Sequence, residues 1–474
     1  MQQPENINND TYTARLPLKE KIAYGLGDVG NNFLFNMGQI YLLKFYTDTL
    51  GLPAATAGLV FLVTKIWDGV ADVAVGTWID NRKKIGERGK FRPFMLYAVV
   101  PLALMTVVSF TSPGFSLNGR TFWAFITYMA FGAIYSIFNI PYGSMIPSMT
   151  QDSIERSELA SARWAAANTA LLILTVAFLP IVTLFDSMKL GYIVAASVFA
   201  FSGLLLQLAC YANVKERYVD KETGKAKGAV ISDYKSLLKN APLWVLCIVN
   251  LFTFSAFNVK LAVQVYYCQY ILNDISLVPY LGFFSIGCVF VGIAMVPFLV
   301  RRIGKKSTYI LGGAIWAVAE IMAWFFARDT VSFIAFACLA FFGTSFINTL
   351  NWALISDAVE YGEWKTGNRG EGLVYSVFTF SRKLSQAIAG FIPGLVLAAV
   401  GYVPNAVQGL SALSGIKGLM FIYPGVLAVA TCIVMAVFYP LSDSRYTGIV
   451  AELNERKILK SKGSRISDQE GISG

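Results

Sequence analysis

The stretch Lys65-Ile-Trp-Asp68-Gly-Val-Ala-Asp72 puts three ionisable side chains inside an otherwise apolar run. On a helix, Asp68 and Asp72 share a face, and Lys65, three residues earlier, lies on it too. Two carboxylates on one stripe can supply oxygen ligands to Na⁺ or hold a transferable proton. The structural alternative is an internal salt bridge or a gate pair. A charge at bilayer depth costs about 2.5–3.5 kcal/mol on insertion scales, so each such residue is a candidate for function. Lys260, with Gln264 one turn on, is a second case and calls for a carboxylate partner or an anionic solute. In Ser381-Arg382-Lys383 the adjacent cations cannot share a face: one is expected to line a cavity, the other to serve packing or a gate. Arg163 either joins them or snorkels to the inner surface. Asp357, Glu360 and Glu363, with Lys365 and Arg369, suggest an ion-pair lock at a cytoplasmic gate. Asn31, Asn32 and Asn139 are amides that can donate and accept, which suits hydroxyl or sulfonate oxygens. Interhelical hydrogen bonding is their alternative use.

The elements that must carry these residues follow from composition. Of 474 residues, 55% are hydrophobic and only 14% charged, with a mean hydropathy of +0.56. A water-soluble domain carries roughly a quarter charged residues, so lipid is the expected solvent. Continuous apolar runs, rather than period-two alternation, point to helices and away from a barrel. About twelve runs are long enough to span. They fall roughly at 22–49, 55–80, 92–111, 120–149, 158–185, 189–213, 243–272, 277–300, 307–327, 330–356, 373–402 and 417–440. Basic loops (residues 81–90, 215–239, 301–306 and the tail after Arg445) alternate with loops nearly devoid of Lys and Arg, which puts both termini in the cytoplasm. The same bias accounts for the net charge of +10 without invoking nucleic acid. The basic turns after spans 2 and 8, Asp80-Asn-Arg-Lys-Lys and Arg301-Arg-Ile-Gly-Lys-Lys306, echo each other as in a transporter built from two related halves. Histidine is absent, which removes histidine-activated nucleophiles, metal sites and proton relays. The six cysteines lie in apolar runs without disulfide or metal spacing. The polar start of the chain does not resemble a cleavable signal peptide.

Six motifs in order, Lys21-Ile-Ala-Tyr-Gly-Leu-Gly-Asp28, Phe45-Tyr-Thr-Asp48, Trp67-Asp-Gly-Val-Ala-Asp72, Gly89-Lys-Phe-Arg-Pro-Phe94, Asn139-Ile-Pro-Tyr142 and Asp357-Ala-Val-Glu-Tyr-Gly-Glu-Trp364, resemble the glycoside–pentoside–hexuronide:cation symporter family of the major facilitator superfamily. The likeness runs from about Pro17 to Tyr446. Within the family the chain is most similar to the paired permeases of enterobacterial sulfoquinovose operons. One of that pair is thought to import sulfoquinovose and the other to export 2,3-dihydroxypropane-1-sulfonate; the N-terminal half looks nearer the exporter. The resemblance implies that Asp68, Asp72 and Ser136 bind the coupling cation with Lys383 nearby. Asn32 and Asn139 stand where melibiose permease has sugar-binding aspartates. Losing two negative charges while keeping Lys260 at depth favours an anionic substrate.

The expectation is an all-α membrane protein, twelve transmembrane helices in two six-helix bundles of the major facilitator fold. Residues 1–213 form the first bundle, 214–240 a cytoplasmic linker, 241–440 the second bundle and 441–474 a cytoplasmic tail. It would sit in the bacterial inner membrane as a monomer, need no cofactor, and carry a small sulfonated sugar or sugar-derived sulfonate coupled to Na⁺ or H⁺. Substrate would meet Asn32, Asn139, Lys260, Arg163, Gln264 and Arg382. Asp357, Glu360, Glu363 and Arg369 would gate. Alternatives are a neutral glycoside or glucuronide as cargo, or a non-transporting sensor. No nucleophile–base pair or metal cluster is legible that would suggest an enzyme.

Overall fold

In lipid every backbone N–H and C=O must be paired within the chain, and a helix does this alone. The computed structural model describes residues 15–80, 89–150, 153–217, 237–367, 371–453 and 455–456. Among them, twelve long helices follow in order: α1 (Leu18–Lys44, running on as a π-turn over Phe45–Thr49), α2 (Ala54–Asp80), α3 (Arg92–Ser109), α4 (Leu117–Met149), α5 (Ser153–Thr183), α6 (Met188–Asn213), α7 (Ala241–Tyr270), α8 (Leu277–Ile303), α9 (Lys305–Phe326), α10 (Thr330–Thr366), α11 (Glu371–Ala399) and α12 (Leu410–Phe438, with a π-turn at Gly418–Ile422). Among the described residues, nine of these are long and apolar enough to cross a membrane. The other three, α1, α2 and α11, have 27, 27 and 29 residues. These three carry Asp28, Lys44, Lys65, Asp68, Asp72, Arg382 and Lys383.

Two boundaries differ most from the apolar-run reading. Helix α10 continues ten residues past 356 to Thr366, because the polar turns after Asp357 remain helical until Gly367 takes the left-handed conformation (φ 78°) and caps the end. Helix α12 starts at Leu410, before the apolar run does. The start of α10 is a capping box, Asp329 with Ser332. The Ser332 N–H holds the Asp329 carboxyl below the usual aspartate pKa.

The chain divides into two compact units. The first comprises Met1–Thr223, Asn258–Ile286 and Ala387–Met420. Its interior is aromatic: Tyr41 stacks on Phe178 at 4.3 Å and Phe110 on Tyr192 at 6.0 Å. Helices α1 and α6 approach at Gly30 and Gly203, where a methyl on either would meet the other's carbonyl oxygen. Lipid supplies no hydrophobic force between helices, so such close backbone contact is what holds them. On the side of the basic loops, the Glu216 carboxylate accepts from the N–H groups of Lys90, Phe91 and Arg92 at 2.7, 2.8 and 2.7 Å, capping α3. Arg217 grips Glu20 through two bonds of 2.7 Å, and Lys21 pairs with Glu155 at 2.7 Å.

The second unit comprises Gly224–Phe257, Gly287–Gln386 and Phe421–Gly474. Here α9 and α10 meet at Gly312 and Gly343, around buried Tyr309, Trp316 and Phe346. A helical segment over 443–453 returns to the end of α10, with the Trp364 indole donating to Glu452 at 2.7 Å.

Candidate functional site

Within the first unit, the polar residues of α1 form one stripe, Asp28, Asn31, Asn32, Asn36 and Gln39, spaced at three and four, with Phe35 on the same face. Facing residues of α4 follow the same period: Tyr128, Gly132, Tyr135, Ser136 and Asn139. Helix α2 contributes Lys65, Asp68 and Asp72. The Lys65 ammonium donates to Asp68 Oδ2 at 3.0 Å and lies over the rings of Phe35 (4.9 Å) and Tyr128 (5.2 Å). Gln39 donates to the Tyr128 hydroxyl at 3.1 Å. The Ser136 hydroxyl donates to Asp72 Oδ1 at 2.5 Å. Asp68 Oδ1 is buried without a hydrogen bond and lies against Gly132, where any added methyl would overlap it.

The amides are placed less simply. Asn31, not Asn32, bridges to α4: its Nδ2 donates to Asn139 Oδ1 and to the Tyr135 hydroxyl, both at 3.2 Å. The Asn32 amide donates to the Asp28 carbonyl at 2.8 Å, on its own helix. Phe35 stacks on Tyr135 at 4.8 Å, extending an aromatic wall through Phe131 and Tyr128. Arg163 reaches from α5 to Asp28 Oδ1 at 3.1 Å and lies over Tyr142 at 4.8 Å. Lys260 and Gln264 are buried in the α7 part of this unit, and Gln264 Nε2 makes no hydrogen bond.

The remaining candidates belong to the second unit. The Arg382 guanidinium lies over Phe254 at 4.2 Å and Trp352 at 5.5 Å, and Lys383 is half-buried. Asp357 accepts from Lys305 with both oxygens at 2.8 Å. Glu360 accepts from the Tyr446 hydroxyl at 2.6 Å, and Glu363 is half-buried. Arg369 lies outside the described residues.

Two constellations went unnoticed in sequence. Asp28, the partner of Arg163, was visible only as the last residue of a motif. Asp48 is the centre of a polar knot at the opposite end of α1 from the basic loops. It accepts from Lys44 (2.6 Å), Thr47 (2.6 Å), Tyr270 (3.1 Å) and Tyr402 (2.7 Å), while its carbonyl accepts from Asn405 (2.8 Å). Only the motif Phe45-Tyr-Thr-Asp48 and an i,i+4 lysine signalled it. Substituting Asp48 by Ala takes the carboxylate from a buried ammonium and three hydroxyl donors, so the melting temperature in detergent is expected to fall by several degrees, and by less for Asp48→Asn. Differential scanning fluorimetry checks this; equal shifts for the two variants would count against a charge-centred knot.

The family model described as MFS/sugar transport protein matches residues 23–443. A Salmonella typhimurium protein named for 2,3-dihydroxypropane-1-sulfonate export is 50% identical over 94% of this chain and 97% of its own. An Escherichia coli protein named for sulfoquinovose import is 47% identical over 95% and 96%. An Escherichia coli glucuronide carrier protein homolog is 36% identical over 92% and 95%. Among solved structures, the nucleoside transporter NupG matches with a TM-score of 0.62 at 13% identity, over 88% of this chain and 99% of that one. A bacterial homolog of the lysosomal transporter Spinster matches with 0.63 at 13%, over 91% and 97%. At such identities these two show the fold alone. Membrane-length helices, a major facilitator fold and a family match over nearly the whole length lead to one assignment: the chain belongs to the MFS/sugar transport protein family and is a multi-pass membrane transporter.

Proposed function

We propose that this transporter carries a small sulfonated sugar or sugar-derived sulfonate across the bacterial inner membrane by alternating access, coupled to Na⁺ or H⁺. The observation that carries the reading is the pairing of Asp68 and Asp72 on one face of α2 with the Lys65 ammonium and the Ser136 hydroxyl, beside a wall of aromatic rings and amides. Carboxylates of this kind suit a driving cation, and ammonium, amide and aromatic groups suit a hydroxylated anion. The substrate class draws support from relatives 44–50% identical and named for sulfoquinovose import or 2,3-dihydroxypropane-1-sulfonate export. Asn32, Asn139 and Lys260 would contact the substrate; Asp68, Asp72 and Ser136 would hold the ion. The alternation of basic and non-basic loops supports cytoplasmic termini. Direction follows the gradients.

A glucuronide is the second reading, favoured by the 36% identity to a glucuronide carrier homolog. Counterflow in proteoliposomes separates the two. Vesicles preloaded with 2,3-dihydroxypropane-1-sulfonate, sulfoquinovose, a glucuronide or a neutral galactoside are assayed with and without Na⁺ and across pH. The sulfonates are expected to exchange, faster with the ion. Exchange confined to the glucuronide or the galactoside overturns the substrate assignment.

A further inference from the structure

Lys65 carries a positive charge that snorkelling cannot place in water: its side chain is only 3% exposed. Its ammonium has two kinds of partner. The Asp68 carboxylate neutralises it, and the faces of Phe35 and Tyr128, from α1 and α4, hold it in place without neutralising it. Asp68 in turn uses Oδ2 for Lys65 and keeps Oδ1 buried without a hydrogen-bond donor, on the side where Gly132 lets α4 come close. Asp72, one turn on, accepts from Ser136. The ammonium therefore neutralises one of the two carboxylates that would share an ion.

We propose that Lys65 is a tethered substitute for the coupling ion, and that arrival of the ion passes the ammonium from Asp68 to the anionic group of the substrate. The proposal rests on the reading that an anion and a cation move together. Its basis is charge balance. Before binding, Lys65 and Asp68 neutralise each other, and Asp72 adds one further carboxylate charge. An ion on Asp68 Oδ1 weakens the hold of Oδ2 on the ammonium, because the two like charges repel strongly at low dielectric. The displaced ammonium remains over Phe35 and Tyr128, beside Gln39 and the α1 amides. There a sulfonate or carboxylate pairs with it. The end state holds the ion on the two carboxylates and Lys65 on the substrate, at the same net charge as before binding. Ion alone leaves Lys65 and the ion sharing two carboxylates, whereas substrate alone must compete with Asp68 for the ammonium and adds charge to a site already negative. Each ligand thus promotes the other, and linkage makes the effect mutual. Under proton coupling, protonation of Asp68 releases Lys65 in the same way.

The test is calorimetric binding of 2,3-dihydroxypropane-1-sulfonate and sulfoquinovose to purified protein in nanodiscs, titrated with Na⁺ at fixed pH and across pH at fixed Na⁺. In the wild type the effective ion is expected to raise sulfonate affinity within the usual range of about 5–150-fold for coupled sites. Lys65→Met is expected to bind the ion about tenfold more tightly without substrate, to weaken sulfonate binding by at least about tenfold, and to lose the ion effect. Lys65→Arg is expected to keep part of it. A purely structural lysine would weaken both ligands together and leave their ratio unchanged; that result, or intact ion dependence in Lys65→Met, overturns the proposal. Should that variant misfold, wild-type protein still decides. Its sulfonate affinity is expected to rise as the effective ion is added. Sulfonate affinity that changes with neither Na⁺ nor pH overturns the proposal. Wild-type protein that binds no sulfonate overturns the proposed function and this inference with it, whereas ion-dependent sulfonate binding that survives Lys65→Met overturns the inference alone.

Discussion

Asp68→Asn is expected to abolish ion-driven accumulation, bringing the internal-to-external substrate ratio to about one, while the protein still folds and equilibrates substrate. Asparagine keeps the shape of the side chain and its fit against Gly132 but removes the charge that would attract an ion. It also leaves the Lys65 ammonium without its carboxylate, and breaking one side of a buried pair is far more damaging than removing both. The single variant should therefore melt at a lower temperature than the wild type. Lys65→Met/Asp68→Asn should recover most of that loss without recovering accumulation. Gradient-driven uptake in vesicles measures the first effect and thermal melting the second. Undiminished uptake by Asp68→Asn removes Asp68 from the coupling site.

The largest expected loss of stability comes from the Asp28–Arg163 pair, which ties α1 to α5 across 135 positions. Replacing one member of a buried pair costs about 3–5 kcal/mol, because the survivor keeps its charge without compensation. The two ends are not equivalent. Asp28 is 7% exposed and Arg163 26%, so the carboxylate is the less able to reach water. Arg163 also keeps the faces of Tyr24 and Tyr142 when Asp28 is gone. Arg163→Met should therefore lower the melting temperature more than Asp28→Asn. The opposite order would place the stabilising interaction elsewhere than in the carboxylate. Arg163 was also a candidate substrate contact. If it serves the fold alone, folded Arg163→Lys should retain wild-type sulfonate affinity in binding assays.

The candidate site was legible to different depths. Lys65, Asp68 and Asp72 were evident as a stripe because their spacing is local and their charges stand out against an apolar run. Ser136 was reached only through family resemblance, and the structure does place its hydroxyl on Asp72. The amides show where local reading stops. Asn31 and Asn32 are adjacent, and nothing in their sequence says which faces α4; the bond to Asn139 belongs to Asn31. The Asp48 knot joins residues up to 357 positions apart, so no spacing rule could assemble it.

The sequence alone determined that lipid is the solvent, where the spans fall, which helices carry charge and which family the motifs resemble, since run length, composition and short-range spacing are properties of contiguous residues. Tertiary structure decided how each helix is turned about its axis, and so which polar groups meet. It also decided that portions of α7, α8, α11 and α12 cluster with the first unit while the rest of each belongs to the second. The physical reason is the solvent. In water an amphipathic pattern marks the buried face of a helix, but lipid is as apolar as a protein interior, so the outward and inward faces of a span look alike in sequence. Orientation then rests on glycine-lined approaches, such as Gly30 with Gly203, and on polar pairs that form only once the helices are assembled.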